Sequence, residues 1–410
     1  MRVFGRLRDF LERQSHNYRM MLVRSGGHTF LFNLTGNYDS IYTTALGADS
    51  VTLGSMRGLS GAVNMLVSLP SGWLTDIYSL KKMMGVGMAI YVLMVAMYAF
   101  ARDWTWIVVA MALAPITMAL MFRSQNIMIS NGLREEDRAT GFGLRQIIAQ
   151  VAGLVSPIPA ALLVERFGGL TVEGIRPLYL IRLFGLAVLY LFVYTRLTDV
   201  PPQPRSKEGT FLQDFREVLE GKEGLRAWIA VGCLGSMVWG IMEPFTFLYA
   251  AQVKGANALT LGIMTTVSTL VSILVALPVN RVADSRGRKV AIFLVRPFLY
   301  AWMILLVVAP SPSWLIVAWA FRGVAMGSSA WETLGMELVP AGQRGRWLGI
   351  TNTLGSLFRI PAPIIGGILY RGVTPGLLFL VPLALDAGIR MPILALKVPE
   401  TVRRAAQKSP

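Results

Sequence analysis

Residues 178–194 read Leu178-Tyr179-Leu180-Ile181-Arg182-Leu183-Phe184-Gly185-Leu186-Ala187-Val188-Leu189-Tyr190-Leu191-Phe192-Val193-Tyr194, a block broken by one charge. A helix rises 1.5 Å per residue, so about twenty mostly apolar residues cross a hydrocarbon core of roughly 30 Å. Val86–Phe100, Ala291–Ala309 and Leu377–Leu385 have the same character. Of the 410 residues, 54% are hydrophobic and 15% charged. A soluble domain needs about a quarter charged residues to hold water at its surface. The surface of this chain therefore faces lipid, and the fold class is an all-α membrane protein.

Working outward, apolar blocks and their polar punctuation give twelve transmembrane helices, near 19–46, 52–75, 82–101, 104–130, 139–166, 177–197, 225–251, 258–282, 289–309, 312–338, 345–370 and 375–397. Pro115, Pro157, Pro159, Pro297, Pro361 and Pro363 fall inside them. Neighbouring helices can satisfy the backbone groups that proline frees, so these residues do not argue against helix. With the N-terminus inside, about 25 of the Lys and Arg residues lie on inner loops and tails and about five on outer loops. That asymmetry places both termini in the cytoplasm of a multi-pass cell-membrane protein, and it explains the net charge of +16 without nucleic acid.

The hydrophilic stretch Thr198–Gly224 contains Pro201, Pro202 and Pro204, then Phe211, Phe215, Val218 and Leu219 at helical spacing. It is either a linker with a short surface helix or a merely solvated connector. The expected organisation is a bundle over 1–198, a cytoplasmic linker over 199–224 and a bundle over 225–410. The basic N-terminus lacks the apolar core of a cleavable signal. The single cysteine, Cys233, permits no intramolecular disulfide, and two histidines, His16 and His28, give no metal-ligand spacing. No nucleotide-binding loop follows a strand-like segment, so no cofactor and no enzymatic activity are expected.

The chain repeats itself. A shift of about 208 positions pairs Thr52-Leu53-Gly54 with Thr260-Leu261-Gly262, and likewise Pro70 with Pro278, Asp76 with Asp284 and Lys81 with Lys289. Six spans separate the copies. An even number inserts both halves in the same orientation, related by a pseudo-two-fold axis along the membrane normal.

The repeated loop also carries a resemblance. The first copy reads Gly72-Trp73-Leu74-Thr75-Asp76-Ile77-Tyr78-Ser79-Leu80-Lys81-Lys82, and the second Asn280-Arg281-Val282-Ala283-Asp284-Ser285-Arg286-Gly287-Arg288-Lys289. Both are similar to the G-x-x-x-D-R-x-G-R-R/K pattern of the major facilitator superfamily. They depart from it at Ile77, Ser79 and Leu80 in one copy and at Asn280 and Ser285 in the other. The resemblance implies two six-helix bundles around a central cavity that opens alternately to each side. It also implies a cytoplasmic latch in which Asp76 and Asp284 accept bonds from a neighbouring helix N-terminus and from guanidinium groups. The competing account of that loop is a basic topogenic segment with a solvated Asp. A second, degraded similarity to exporters lies at Gly153–Ala161, with Pro157, and at Pro361-Ala362-Pro363-Ile364-Ile365-Gly366-Gly367, where proline bends and small residues permit close packing. Plain helix packing explains that similarity better than export does.

Ionisable residues at membrane depth cost a few kcal/mol or more and point to a pathway. Asp39, Glu243, Arg322, Arg359 and Asp386 fall nearest the middle or outer third of their spans, and His28, Arg123, Arg145 and Glu332 nearer the cytoplasm. The first span aligns His28, Thr35, Asp39 and Tyr42 on one face. The seventh aligns Ser236, Trp239, Glu243 and Thr246. Asp386 and Arg390, four apart, should neutralise each other. The excess of embedded Arg over acid favours an anionic or amphipathic solute bound by Arg322 and Arg359, each of which Glu332 or Glu243 could instead hold. Trp104, Trp106, Trp302 and Trp314 read as interfacial anchors near span ends. The leading function is a monomeric, proton-coupled carrier of a small organic solute, with export the direction that the degraded similarity suggests. A facilitative uniporter is the close alternative, and a membrane transferase or a solute-sensing receptor is less well supported.

Overall fold

The computed structural model describes residues 10–68, 78–199, 223–339, 344–372 and 374–401, without the side chains of 68, 122, 123, 135, 139, 223 and 344–349. Every regular element among them is helical. In chain order these are α1 (His16–Thr35), α2 (Asp39–Ala45), α3 (Ser50–Ser68), α4 (Leu80–Ala99), α5 (Trp104–Gly132), α6 (Arg138–Val155), α7 (Pro157–Arg166), α8 (Val172–Arg196) and α9 (Glu223–Met242). There follow α10 (Thr246–Gln252), α11 (Ala258–Arg286), α12 (Arg288–Val308), α13 (Pro312–Met326), α14 (Ala330–Glu337), α15 (Arg344–Arg359), α16 (Ala362–Arg371), α17 (Leu377–Leu385) and α18 (Met391–Lys397). Among the described residues, nine helical runs are long and apolar enough to cross a membrane. The other three expected spans fall on α1–α2, α3 and α13–α14. The proposed linker helix near 211–219 lies outside the described residues.

Side chains satisfy helix starts at the polar punctuation. Ser15, Ser79, Asp103, Thr171 and Asn257 each accept a backbone N–H from the first turn of α1, α4, α5, α8 and α11. Such caps meet donors that have no partner inside the helix. Asp49 does the same for α3, accepting from the Thr52 N–H at 2.7 Å. The Thr52 bonds hold the Asp49 carboxyl below its ordinary range, and Arg371 adds to the shift.

The breaks within spans recur in both halves. The first span turns at Gly36–Tyr38, between α1 and α2, and the seventh at the tight turn Glu243–Phe245, between α9 and α10. Pro244, which has no N–H to donate, sits in the second of these turns. The fifth span is interrupted at Ser156, before Pro157, and the eleventh at Ile360–Pro361. The twelfth passes through a π-helical turn, Asp386–Arg390.

The chain divides into two compact units, Met1–Gly47 with Leu66–Ser206, and Ala48–Met65 with Lys207–Pro410. The first has a tyrosine-rich core, with Tyr18, Tyr38, Tyr42, Tyr91 and Tyr179 fully buried. In the second, Trp302, Trp319, Phe245 and Phe379 occupy that role. Most of α3 groups with the second unit through close backbone contact. A Cβ on Gly54 would sit 2.2 Å from the Pro363 carbonyl oxygen, and one on Gly367 would sit 2.4 Å from that of Ser50. Ser50 Oγ also donates to the Gly367 carbonyl at 3.0 Å.

Candidate functional site

In the second unit, Glu243 follows the end of α9 and is exposed, and α13 carries Arg322, which is half-buried. Arg322 lies 5.6 Å over the Trp302 ring. It makes no hydrogen bond or ion pair among the described residues; Glu243 acts on it electrostatically without pairing. Arg359, at the end of α15, is exposed, and its stem passes Gly240 one turn before Glu243. Glu332 is exposed and has no hydrogen-bond partner among the described residues, so the suggested Arg322–Glu332 tie does not form.

Trp302 is not an interfacial anchor. It is 1% exposed and lies within the unit, stacked on Trp239 at 6.2 Å and edge-on to Trp319 at 5.9 Å. Its position near the end of an apolar block concealed this, because depth along a helix does not say which face is covered.

Asp386 is fully buried in the same unit and pairs with Arg390 at 3.0 Å, as the four-residue spacing implies. Sequence reasoning missed the stronger partner. Arg296 of α12 grips both Asp386 oxygens, at 2.7 and 2.6 Å, and Tyr300 donates to Oδ2 at 2.8 Å. Arg390 Nε also donates to the Val231 carbonyl at 2.9 Å. The Trp331 ring lies 4.3 Å from Arg390 and 5.3 Å from Arg296.

In the first unit, Tyr179 donates to Asp39 Oδ1 at 2.6 Å. His28 Nδ1 meets the Tyr190 hydroxyl at 2.7 Å, with the Tyr91 ring centred 5.0 Å away. Arg182, also missed, is 3% exposed and donates to Thr35 Oγ1 and the Tyr91 hydroxyl, each at 2.5 Å. Arg24 donates to Gln125 Oε1 at 2.6 Å. The Nε atoms of Arg24 and Arg182 are buried without a partner among the described residues. The Arg123 side chain lies outside the described residues.

Of the repeated loop, Gly72 and Asp76 lie outside the described residues. Lys81 donates to the Leu197 carbonyl at 2.6 Å, and Lys82 begins α4 under the Ser79 cap. In the second copy Asp284 pairs with Arg288, whose guanidinium also reaches Glu337 at 2.9 Å. Glu400, not Asp284, accepts the N–H groups of Arg288 and Lys289 at the start of α12, both at 2.9 Å. The Lys289 ammonium donates to the Ala395 and Val398 carbonyls, and Arg286 is exposed. Gly287 has φ +124°, and a Cβ there would lie 2.7 Å from a Glu400 oxygen, so this turn requires glycine.

Comparison with known proteins bears on this geometry. The family model for the Major Facilitator Superfamily matches residues 22–363 and 255–408. Among solved structures, the nucleoside transporter NupG superposes with a TM-score of 0.73 at 16% identity, over 92% of this chain and 98% of that one. A POT family transporter in complex with 5-aminolevulinic acid gives 0.72 at 14% identity, over 93% and 96%. A bacterial homologue of the human lysosomal transporter Spinster, inward-facing and occupied, gives 0.65 at 14%, over 95% and 96%. Identities this low show a shared fold and no more. A search of curated proteins finds no match.

Proposed function

The chain belongs to the Major Facilitator Superfamily, a multi-pass membrane transporter rather than an enzyme, and we propose that it carries a small anionic or amphipathic organic solute by alternating access, coupled to protons. The observation that supports the substrate charge is Arg322, a guanidinium within a span and without hydrogen bond or ion pair among the described residues. An embedded cation of this kind is costly unless function retains it. Its planar fork suits carboxylate or phosphate, and Arg359 supplies a second guanidinium on α15. Coupling is assigned to Asp39 and Glu243, embedded carboxylates that pair directly with no cation among the described residues. On this reading the protein works as a monomer in the cell membrane with both termini cytoplasmic. The halves 1–198 and 225–410 move about the linker 199–224, Asp76 and Asp284 serve as latch residues, and the bends at Pro157, Pro361 and Pro363 flex.

The test is solute-binding calorimetry and a melting curve on the purified protein. Arg322→Gln removes charge and fork; Arg322→Lys removes the fork alone. Gln should weaken binding of an organic anion strongly and Lys less so, with the fold intact. Loss of thermal stability with normal binding by the folded remainder would make Arg322 structural and end the case for an anion.

A further inference from the structure

Resting on that reading, we infer that the solute is a planar aromatic anion, its ring held by an indole platform in the second unit and its negative group by Arg322. Three tryptophans from α9, α12 and α13 touch in sequence: Trp239 stacks on Trp302 with an interplanar angle of 25°, and Trp302 meets Trp319 edge-on at 86°. Trp302 and Trp319 are each 1% exposed, whereas Trp239 is only half-buried and offers a free portion of its surface. Trp239 precedes Glu243 by four residues, so the aromatic surface and the carboxylate lie on one face of the span. Arg322 lies 5.6 Å over the Trp302 ring, the indole on which Trp239 is stacked.

Packing alone does not explain this cluster. The indole N–H groups of both Trp302 and Trp319 are buried with no acceptor among the described residues. Leaving a buried donor unmet is unfavourable, and native proteins seldom retain two side by side. A core that needed only bulk would use Phe or Leu here. The parts of this cluster that a solute can reach are Trp239 and Arg322, both half-buried, which present a π-face and a guanidinium with no hydrogen bond among the described residues. A flat ring gains most from the open part of Trp239, through offset stacking. Arg359 and Glu243 flank the site with one charge of each sign, and so admit a further polar substituent.

Three probes separate planarity from charge: benzoate, which is planar and anionic; cyclohexanecarboxylate, which is anionic and puckered; and benzamide, which is planar and neutral. Calorimetry on the full-length protein should find benzoate bound roughly three- to tenfold more tightly than cyclohexanecarboxylate. Trp239→Leu should abolish that preference and Trp239→Phe should keep most of it. Equal binding of benzoate and cyclohexanecarboxylate would overturn the aromatic inference while leaving an anionic solute in place. Equal binding of benzoate and benzamide would instead overturn the anionic reading on which the inference rests. A benzoate preference that survives Trp239→Leu would remove the platform from this position. Binding of none of the three would overturn both. A melting temperature for Trp239→Leu within a few degrees of the parent keeps misfolding from imitating the expected result.

Discussion

Two buried polar clusters occupy comparable places in the two units, and they are satisfied very differently. Each joins the first, third and sixth spans of its half: α1–α2, α4 and α8 in one, and α9, α12 and α17–α18 in the other. In the second unit one carboxylate, Asp386, receives two guanidiniums and a hydroxyl. In the first unit Arg182 receives two neutral hydroxyl oxygens, while the Asp39 carboxylate is taken by Tyr179. A saturated cluster at this depth acts as a fastening. One that leaves a guanidinium and a carboxylate apart retains charge that a proton or a solute can engage. The same scaffold position is thus saturated in one half and holds its charges apart in the other.

The sharpest way to break this comparison is Asp386→Asn. It strands Arg296 and Arg390 without a counter-ion and should cost about 3–5 kcal/mol, read as the lowest melting temperature of the series. Arg296→Met leaves the Asp386–Arg390 pair neutral and should cost less, about 1.5–3 kcal/mol. Equal losses for the two variants would mean that charge balance does not hold this cluster together. Arg182→Met removes a cation whose partners are neutral, so its effect on melting should be smaller again, about 1–2 kcal/mol. Its transport rate should fall by more than the lost folded fraction explains. If transport tracks the folded fraction, the first-unit cluster is a fastening as well.

Asp39→Asn and Glu243→Gln should each leave melting nearly unchanged, and the residue that couples should lose pH-driven accumulation while keeping solute exchange. Full pH-driven transport in both variants would convert the protein to a uniporter or move coupling elsewhere. The smallest effect belongs to Asp49→Ala, which loses an exposed helix cap worth about 0.5 kcal/mol. Because the folded Asp49 carboxyl titrates below its ordinary value, its contribution is full above about pH 4 and lost as pH falls further. A deficit in the Asp49→Ala variant that persisted in acid would assign the loss to something other than the carboxylate.

The spans were legible because hydrocarbon thickness fixes the length of an apolar block, and the repeat because loop charges recur at a constant offset. Asp386–Arg390 was legible because helix geometry pairs residues four apart. Arg182 was not. It is the single charge in the block 178–194, and its partners Thr35 and Tyr91 lie 147 and 91 positions away. Arg296, 90 positions from Asp386, was hidden for the same reason. Periodicity reports which residues share a helix face and is silent about which helix that face meets. The indole cluster was obscured in the same way: Trp239, Trp302 and Trp319 belong to three spans, and no spacing in the sequence brings them together.

The close seam between α3 and α16 sets a timetable for biosynthesis. Ser50 and Gly367 bond across 317 positions. At roughly 5–20 residues per second a ribosome needs about 15–60 s to make the second of them after the first. Throughout that interval α3 has been synthesised with its glycine face uncovered, and no backbone is yet available to fill it. Whatever shields that face, whether lipid, insertion machinery or a nascent neighbour, must also release it once the eleventh span emerges.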